Sequence, residues 1–108
     1  MADPFGGAGG MGGMLGGLQA QLKAMHAEAE KQEVEGSAAG GKVLVRMNGT
    51  QEVLAVRIDP AILADRELAE DLVRAATNDA VRRSREAVNG QLRALASRMG
   101  LPPQLLGL

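Results

Sequence analysis

The chain has no cysteine, no tryptophan and no tyrosine, and only one phenylalanine and one histidine in 108 residues. Without cysteine there is no disulfide, no thiolate metal site and no cysteine nucleophile. Phe5 is the one aromatic side chain, so the chain lacks the rings on which single-strand and RNA readers stack bases. His26 has no cysteine and no carboxylate cluster to work with. It builds neither a metal site nor a general-base pair, and is expected at the surface or an interface. No run of eighteen apolar residues occurs, so no membrane span is expected. The N-terminus also lacks the basic start and continuous apolar run of a secretory signal. The glycine clusters are not phosphate loops. GGAGGMGG has no Lys-Ser or Lys-Thr and follows no strand, and Ser37–Gly41 precedes a strand instead of following one. No enzymatic constellation is left, and no cofactor and no small-molecule substrate are expected.

What is present is a segregated charge. The net charge is −1, yet Ala80–Met99 holds five Arg against one Glu, and Ala27–Glu35 holds four Glu against one Lys. A small chain with an aliphatic core buries little surface and often needs a second copy for stability. A charge run on a helix usually marks a solvated face, and Arg in a helix C-terminal half also suits the helix dipole. Two copies of a +4 segment held in fixed geometry would grip phosphates on either side of a duplex.

Residues 1–13 are Gly-rich and read as a flexible tail. From Met14 a helical period begins, with Leu15, Leu18, Leu22, Met25 and Ala29 spaced 3-4-3-4. A short edge strand is expected around Glu33–Ser37. Lys42–Asn48 and Gln51–Ile58 both alternate, joined by Asn48-Gly49, a pair that tolerates φ > 0 in a two-residue hairpin turn. One sheet face is then fully apolar (Val43, Val45, Met47, Leu54, Val56, Ile58) and must be covered by helices. The other mixes Leu44, Val53 and Ala55 with Arg46 and Arg57. Asp59-Pro60 caps a short helical turn, and Asp65 caps a long helix from about Arg66 to Met99. Gly100 stops that helix and Pro102-Pro103 prevents its resumption. Helix, two or three antiparallel strands, helix is a two-layer α+β domain. Its expected bounds are 14–103, with a C-terminal tail at 104–108.

The long helix changes its apolar face halfway. Leu68, Leu72, Ala76 and Ala80 serve the first half, and Val81, Val88, Leu92, Leu95 and Met99 the second. Leu72 and Val81 lie on opposite sides at about 100° per residue. The first half is expected on this chain's own sheet, and the second on another chain. Val81, Val88, Leu92, Leu95 and Met99 are therefore the candidate dimer interface. Glu70–Arg74 and Asp79–Arg83 read as ordinary i,i+4 surface pairs, and mid-helix Asn78 as a local or interfacial hydrogen-bonder.

Specific residues then carry a resemblance. Asn48-Gly49, Ile58-Asp59-Pro60, Glu70-Asp71-Leu72-Val73, Ala75-Ala76, Asn78-Asp79-Ala80 and Met99-Gly100-Leu101-Pro102-Pro103 occur in that order. From about Leu15 to Pro103 the chain closely resembles the YbaB/EbfC family of bacterial nucleoid-associated proteins. The resemblance implies an α-β-β-β-α subunit in a tight homodimer whose helical arms project from a central sheet. It implies binding of double-stranded DNA, a place in the cytoplasm at the nucleoid, and roles in nucleoid organisation and gene regulation. The matching basic positions are Lys23 and Lys31 on the first helix and Arg82, Arg83, Arg85 and Arg93 on the last. The first helix departs from this pattern in being acidic toward its end, at Glu28, Glu30 and Glu33. A non-enzymatic protein-interaction adaptor with apolar arms is the rival reading, favoured by the acidic net charge.

Overall fold

The structure is a computed structural model and describes residues 11–106. In order it contains α1 (Met11–Lys31), β1 (Glu33–Ala38), a 3-10 turn (Ala39–Gly41), β2 (Val43–Asn48), β3 (Val53–Ile58), α2 (Pro60–Leu63), α3 (Arg66–Arg98) and a second 3-10 turn (Pro103–Leu106). The strands form one antiparallel sheet in the order β1-β2-β3, so the α+β architecture is as expected. Helix α1 starts three residues before the hydropathy period does. Gly12 and Gly13 bring no side chain to the apolar stripe, and the period cannot register that turn. The first ten residues of the expected tail, and 107–108 at the other end, lie outside the described residues.

Local chemistry explains the element boundaries. Asp59 Oδ1 accepts from Ala61 N–H at 2.9 Å, with Pro60 in the first turn of α2. Asp65 Oδ1 accepts from Leu68 N–H at 3.2 Å and opens α3. At the far end Gly100 has φ +71°, Gly100 N–H donates to Ser97 O at 3.2 Å and Leu101 N–H to Ala96 O at 2.8 Å. That pair of bonds is the Schellman helix stop, which needs a residue free to adopt positive φ.

The β2–β3 hairpin exists, but its turn differs from the one Asn-Gly predicts. The loop is Gly49-Thr50-Gln51, closed by Asn48 N–H to Glu52 O at 3.0 Å, and the positive φ falls on Gln51 (65°). Asn48 works through its side chain. Its Oδ1 accepts from Thr50 N–H, Thr50 Oγ1 and Glu52 N–H at 2.8–3.0 Å. Gly49 is needed for space, since a Cβ there would lie 2.7 Å from Ala29 O. Its N–H donates to Ala29 O at 2.8 Å and ties the hairpin tip to the end of α1. A bulge follows, with Arg46 opposite Ala55 but Met47 opposite Val53.

The core comprises Val43, Val45, Met47, Ile62, Ala76 and Ala80, with Val34, Ile58, Leu72, Val73 and Val81 packed against it. Helix α3 lies over β1 and β2 only. A Cβ on Gly36 would collide with Ala76 O and Ala80 N and stand 2.7 Å from Ala80 Cα. The missing side chain therefore lets the helix sit directly on β1. The apolar sheet face is in consequence only partly covered: Leu54 and Val56 of β3 remain 44% and 47% exposed. Leu68, expected in the sheet-facing stripe, is also exposed.

The change of face along α3 takes another form from the one expected. Ala76, Ala80, Ser84 and Val88 form one row at i+4, with Ser84 fully buried and its Oγ donating to Asn48 O at 2.8 Å. Each i+4 step turns about 40° around the helix, so a single row leaves the sheet gradually and comes to face α1. Leu22, Met25 and Ala29 of α1 share a groove with Val88 and Leu92, and Leu15 and Leu18 border another with Met99. The second half of α3 therefore faces α1 across open grooves, and Leu15, Leu18, Leu22 and Met99 along them remain exposed. Of the expected interface residues, Leu95 is 5% exposed in the single chain and Val81 is partly buried at the core periphery. The two helices run past the sheet as an arm. The chain measures 72 × 27 × 18 Å with a radius of gyration of 20.0 Å, against about 13 Å for a compact chain of this length.

The close contact at β1 gives a direct test. Gly36→Ala forces a Cβ into helix backbone and should destabilise by about 1–3 kcal/mol or more. Gly90→Ala sits in α3 with nothing within 4 Å of the added carbon and should stabilise by up to about 1 kcal/mol. Urea unfolding followed by circular dichroism checks both; equal midpoints for Gly36→Ala and wild type would refute the close approach.

Candidate nucleic-acid interface

The densest cationic surface is the outward side of α3 beyond the sheet, where Glu86 is the one acid among the arginines. Successive residues turn about 100°, so Arg82, Arg85 and Arg93 fall within an arc of about 80°, away from buried Ser84 and Leu95 but with buried Ala96 inside it, one turn beyond Arg93. The three arginines span about 16 Å along the axis, the rise of roughly five base pairs of duplex. Arg83 lies about 80° beyond the near edge of that arc. Arg85 and Arg93 are exposed, and neither makes an ion pair with any described residue.

Arg82 and Arg83 are held differently. Both approach Asp79, Arg83 Nε at 3.1 Å from Oδ2 and Arg82 Nη2 at 3.4 Å from Oδ1. Oδ2 also accepts from Ser37 N–H at 2.9 Å, which fastens α3 to the outer edge of β1. The Asp79–Arg83 pair is as expected, but Asp79 does more than an ordinary surface carboxylate. Ser37 N–H lowers its pKa most, followed by the Arg83 hydrogen bond and the Arg83 and Arg82 charges, with burial acting against them. Nothing in the sequence pattern marks Ser37 as its partner, because the contact spans 42 residues.

The remaining expectations resolve as follows. Lys23 and Lys31 are exposed on α1, apart from the Arg arc. His26 is exposed and lies 3.2 Å from Glu30 Oε1, and Asn78 is exposed. Glu70 does not pair with Arg74. Arg66 takes Glu70 at 3.0 Å, and Arg74 turns back to Asp71 at 3.4 Å, because Glu70 lies one helical turn from both bases and Asp71 offers Arg74 a second acid one turn away. Among the described residues no cluster of His, Cys, Asp and Glu is suited to hold a metal ion, and no helix is long and apolar enough to cross a membrane.

Comparison with known proteins agrees with this geometry. A sequence model of the YbaB/EbfC DNA-binding family matches residues 5–99. A nucleoid-associated protein of Rhodopseudomonas palustris is 44% identical over 90 residues, covering 82% of this chain and 85% of that one. A nucleoid-associated protein of Xanthomonas euvesicatoria is 43% identical over 86 residues, covering 80% and 81%. The crystal structure of an uncharacterized protein from Helicobacter pylori superposes with a TM-score of 0.66 at 27% identity, covering 82% of this chain and 91% of that chain.

The Asp79 link predicts a pH signature. A carboxylate whose folded pKa is depressed contributes stability above its ordinary value of 3.8, and that contribution is lost as pH falls through the lower folded value. Asp79→Asn should therefore be less stable than wild type at neutral pH, and the gap should close below pH 3.8. Urea midpoints measured across the acid range check this; a gap that stays constant at every pH would refute the role of the charge.

Proposed function

The chain belongs to the YbaB/EbfC DNA-binding family, and we propose that it binds duplex DNA as a homodimer and serves nucleoid organisation and gene regulation in the bacterial cytoplasm. The observation that carries this reading is the exposed arc of Arg82, Arg85 and Arg93 on an arm that projects beyond the sheet. The names of the bacterial relatives, nucleoid-associated proteins, support the location.

Guanidinium groups on a helix face engage phosphate oxygens and displace condensed counterions, which gives affinity with little dependence on base sequence. Arg85 and Arg93 are the foremost contacts, because neither is ion-paired among the described residues. Arg82 and Arg83 contribute with part of their charge offset by Asp79. Lys23 and Lys31 sit near Glu28 and Glu30 in sequence and contribute less.

The second copy belongs on the uncovered part of the sheet. Val53, Leu54 and Val56 are exposed on a strand whose outer edge has no neighbour, and such an edge is a template for pairing. Val81, Val88, Leu92, Leu95 and Met99 of the arm stay within the proposed partner surface, Leu95 as a buried member and Val81 as a partly buried one. The adaptor reading retains one favourable observation, the exposed Met14, Leu15 and Leu18 on α1.

A salt series separates the two. If Arg85 and Arg93 of both protomers each meet a phosphate, the slope of log affinity against log salt should lie near −3.6, at about −0.9 per contact. Arg85→Gln with Arg93→Gln should weaken binding on all duplexes and flatten that slope, while sedimentation shows the same dimer. Absence of salt-sensitive duplex binding at low ionic strength would leave the adaptor reading in its place.

A further inference from the structure

The sheet face turned away from α3 carries an open groove of about 560 Å³ beside the turn between β1 and β2. Gly40, Gly41, Lys42, Arg57 and Asp59 line it. Val43 and Val45 point into the core, so Lys42 and Leu44 project to the opposite face. Leu44 pairs with Arg57, and Asp59 N–H donates to Lys42 O at 2.8 Å. Lys42 and Arg57 are therefore diagonal neighbours, with backbones roughly 7–8 Å apart.

Like charges at such a position repel, and here they stand without a counterion. Neither Lys42 nor Arg57 makes an ion pair with any described residue. The same sheet face does neutralise its third cation, Arg46, whose Nε lies 3.1 Å from Glu33 Oε1. Asp59 borders the groove, but its Oδ1 is engaged by Ala61 N–H as the cap of α2. Gly40 and Gly41 bring no side chain, so that wall of the groove is backbone. The result is an open groove flanked by two cations that no described residue ion-pairs, with the Asp59 carboxylate at its rim.

The groove lies beside the β1–β2 turn, at the end of the sheet away from the hairpin tip where the arm departs, and shares a rung with Ser37. Ser37, Leu44 and Arg57 are consecutive partners across the three strands. Ser37 N–H is the group that Asp79 holds, with Arg82 and Arg83 on the same carboxylate. Two strand spacings, about 10 Å, separate that edge from Arg57.

We propose that Lys42 and Arg57 bind a phosphate group in this groove, on the face of the sheet opposite α3. The proposal rests on the DNA reading only for the source of the phosphate, a duplex backbone as against a free phosphate compound. The test uses the full-length chain labelled with 15N, titrated first with inorganic phosphate against chloride at matched ionic strength, then with a duplex. Saturable shifts of the Gly40 and Gly41 amides are expected in both arms, and their loss in Lys42→Gln/Arg57→Gln. The duplex salt slope of that variant should flatten by up to about 1.8 per protomer, two contacts at about 0.9 each, with an unchanged thermal melt. A response to inorganic phosphate alone assigns the groove to a free phosphate compound, and a response to duplex alone to backbone phosphates; either supports the site. No amide response to either, together with a wild-type slope in the variant, overturns it. If the wild-type chain fails to bind duplex at all, the proposed function falls, and the phosphate titration still decides the groove.

Discussion

The approach of α3 to β1 at Gly36 is the constraint on which the remaining architecture depends. A side chain at that position would hold the helix off; with none, Ala76 and Ala80 pack against strand backbone. Three consequences follow from geometry. The helix lies over one side of the sheet, so β3 keeps exposed apolar side chains. Asp79 comes within hydrogen-bond distance of the outer edge of β1 at Ser37, where an unpaired strand would otherwise offer its N–H groups to another chain. The row that begins at Ala76 and Ala80 is aimed so that Ser84 reaches Asn48 at the hairpin tip and Leu95 comes to rest inside the arm. The helix then continues about 21 Å past Ser84, with α1 alongside.

This arrangement separates structural from available charge. On the half of α3 over the sheet, Arg66 and Arg74 each have a carboxylate one turn away, and exposed pairs of that kind add little stability and little external field. At the junction, Asp79 holds two guanidinium groups while it anchors the helix to β1. Beyond it only Glu86 opposes Arg85, Arg93 and Arg98. The net charge of −1 conceals this gradient. A polyanion approaching the arm meets uncompensated cations at its outer surface, and one approaching the body near β1 meets neutral pairs first.

The element order was legible because each boundary carries its own local chemistry. Asp59-Pro60, Asp65 and Gly100 act where their residue types predict, and the alternation of Val43, Val45 and Met47 gave the buried face of β2. The failures share a cause: each turns on a contact between residues remote in sequence. Asn48-Gly49 carries a hairpin signal, but Gly49 answers to Ala29 of α1 and Asn48 to its own loop, so the turn type was misjudged. The apparent break in the α3 stripe is Ser84, a polar residue occupying a core position because a backbone carbonyl awaits it. The i+4 row through Ala76, Ala80, Ser84 and Val88 was the available signal. That row carries Ser84 to the hairpin tip and turns Val88 toward the groove shared with α1. For the site, charge counting found the Arg cluster, yet it could not rank Arg85 and Arg93 above Arg82 and Arg83. That ranking depends on Asp79, whose position is fixed by Ser37.

The account's central claim is that duplex phosphates are met by the outer arc of the arm and not by the arginines over the sheet. NMR of the Arg Nε–H groups during a duplex titration tests it most directly, since Arg85 and Arg93 are then observed beside Arg66 and Arg74 in one experiment. The account predicts saturable shifts at Arg85 and Arg93 that weaken as salt rises, with Arg66 and Arg74 unmoved. Shifts confined to Arg66 and Arg74, or equal at all four, would contradict it.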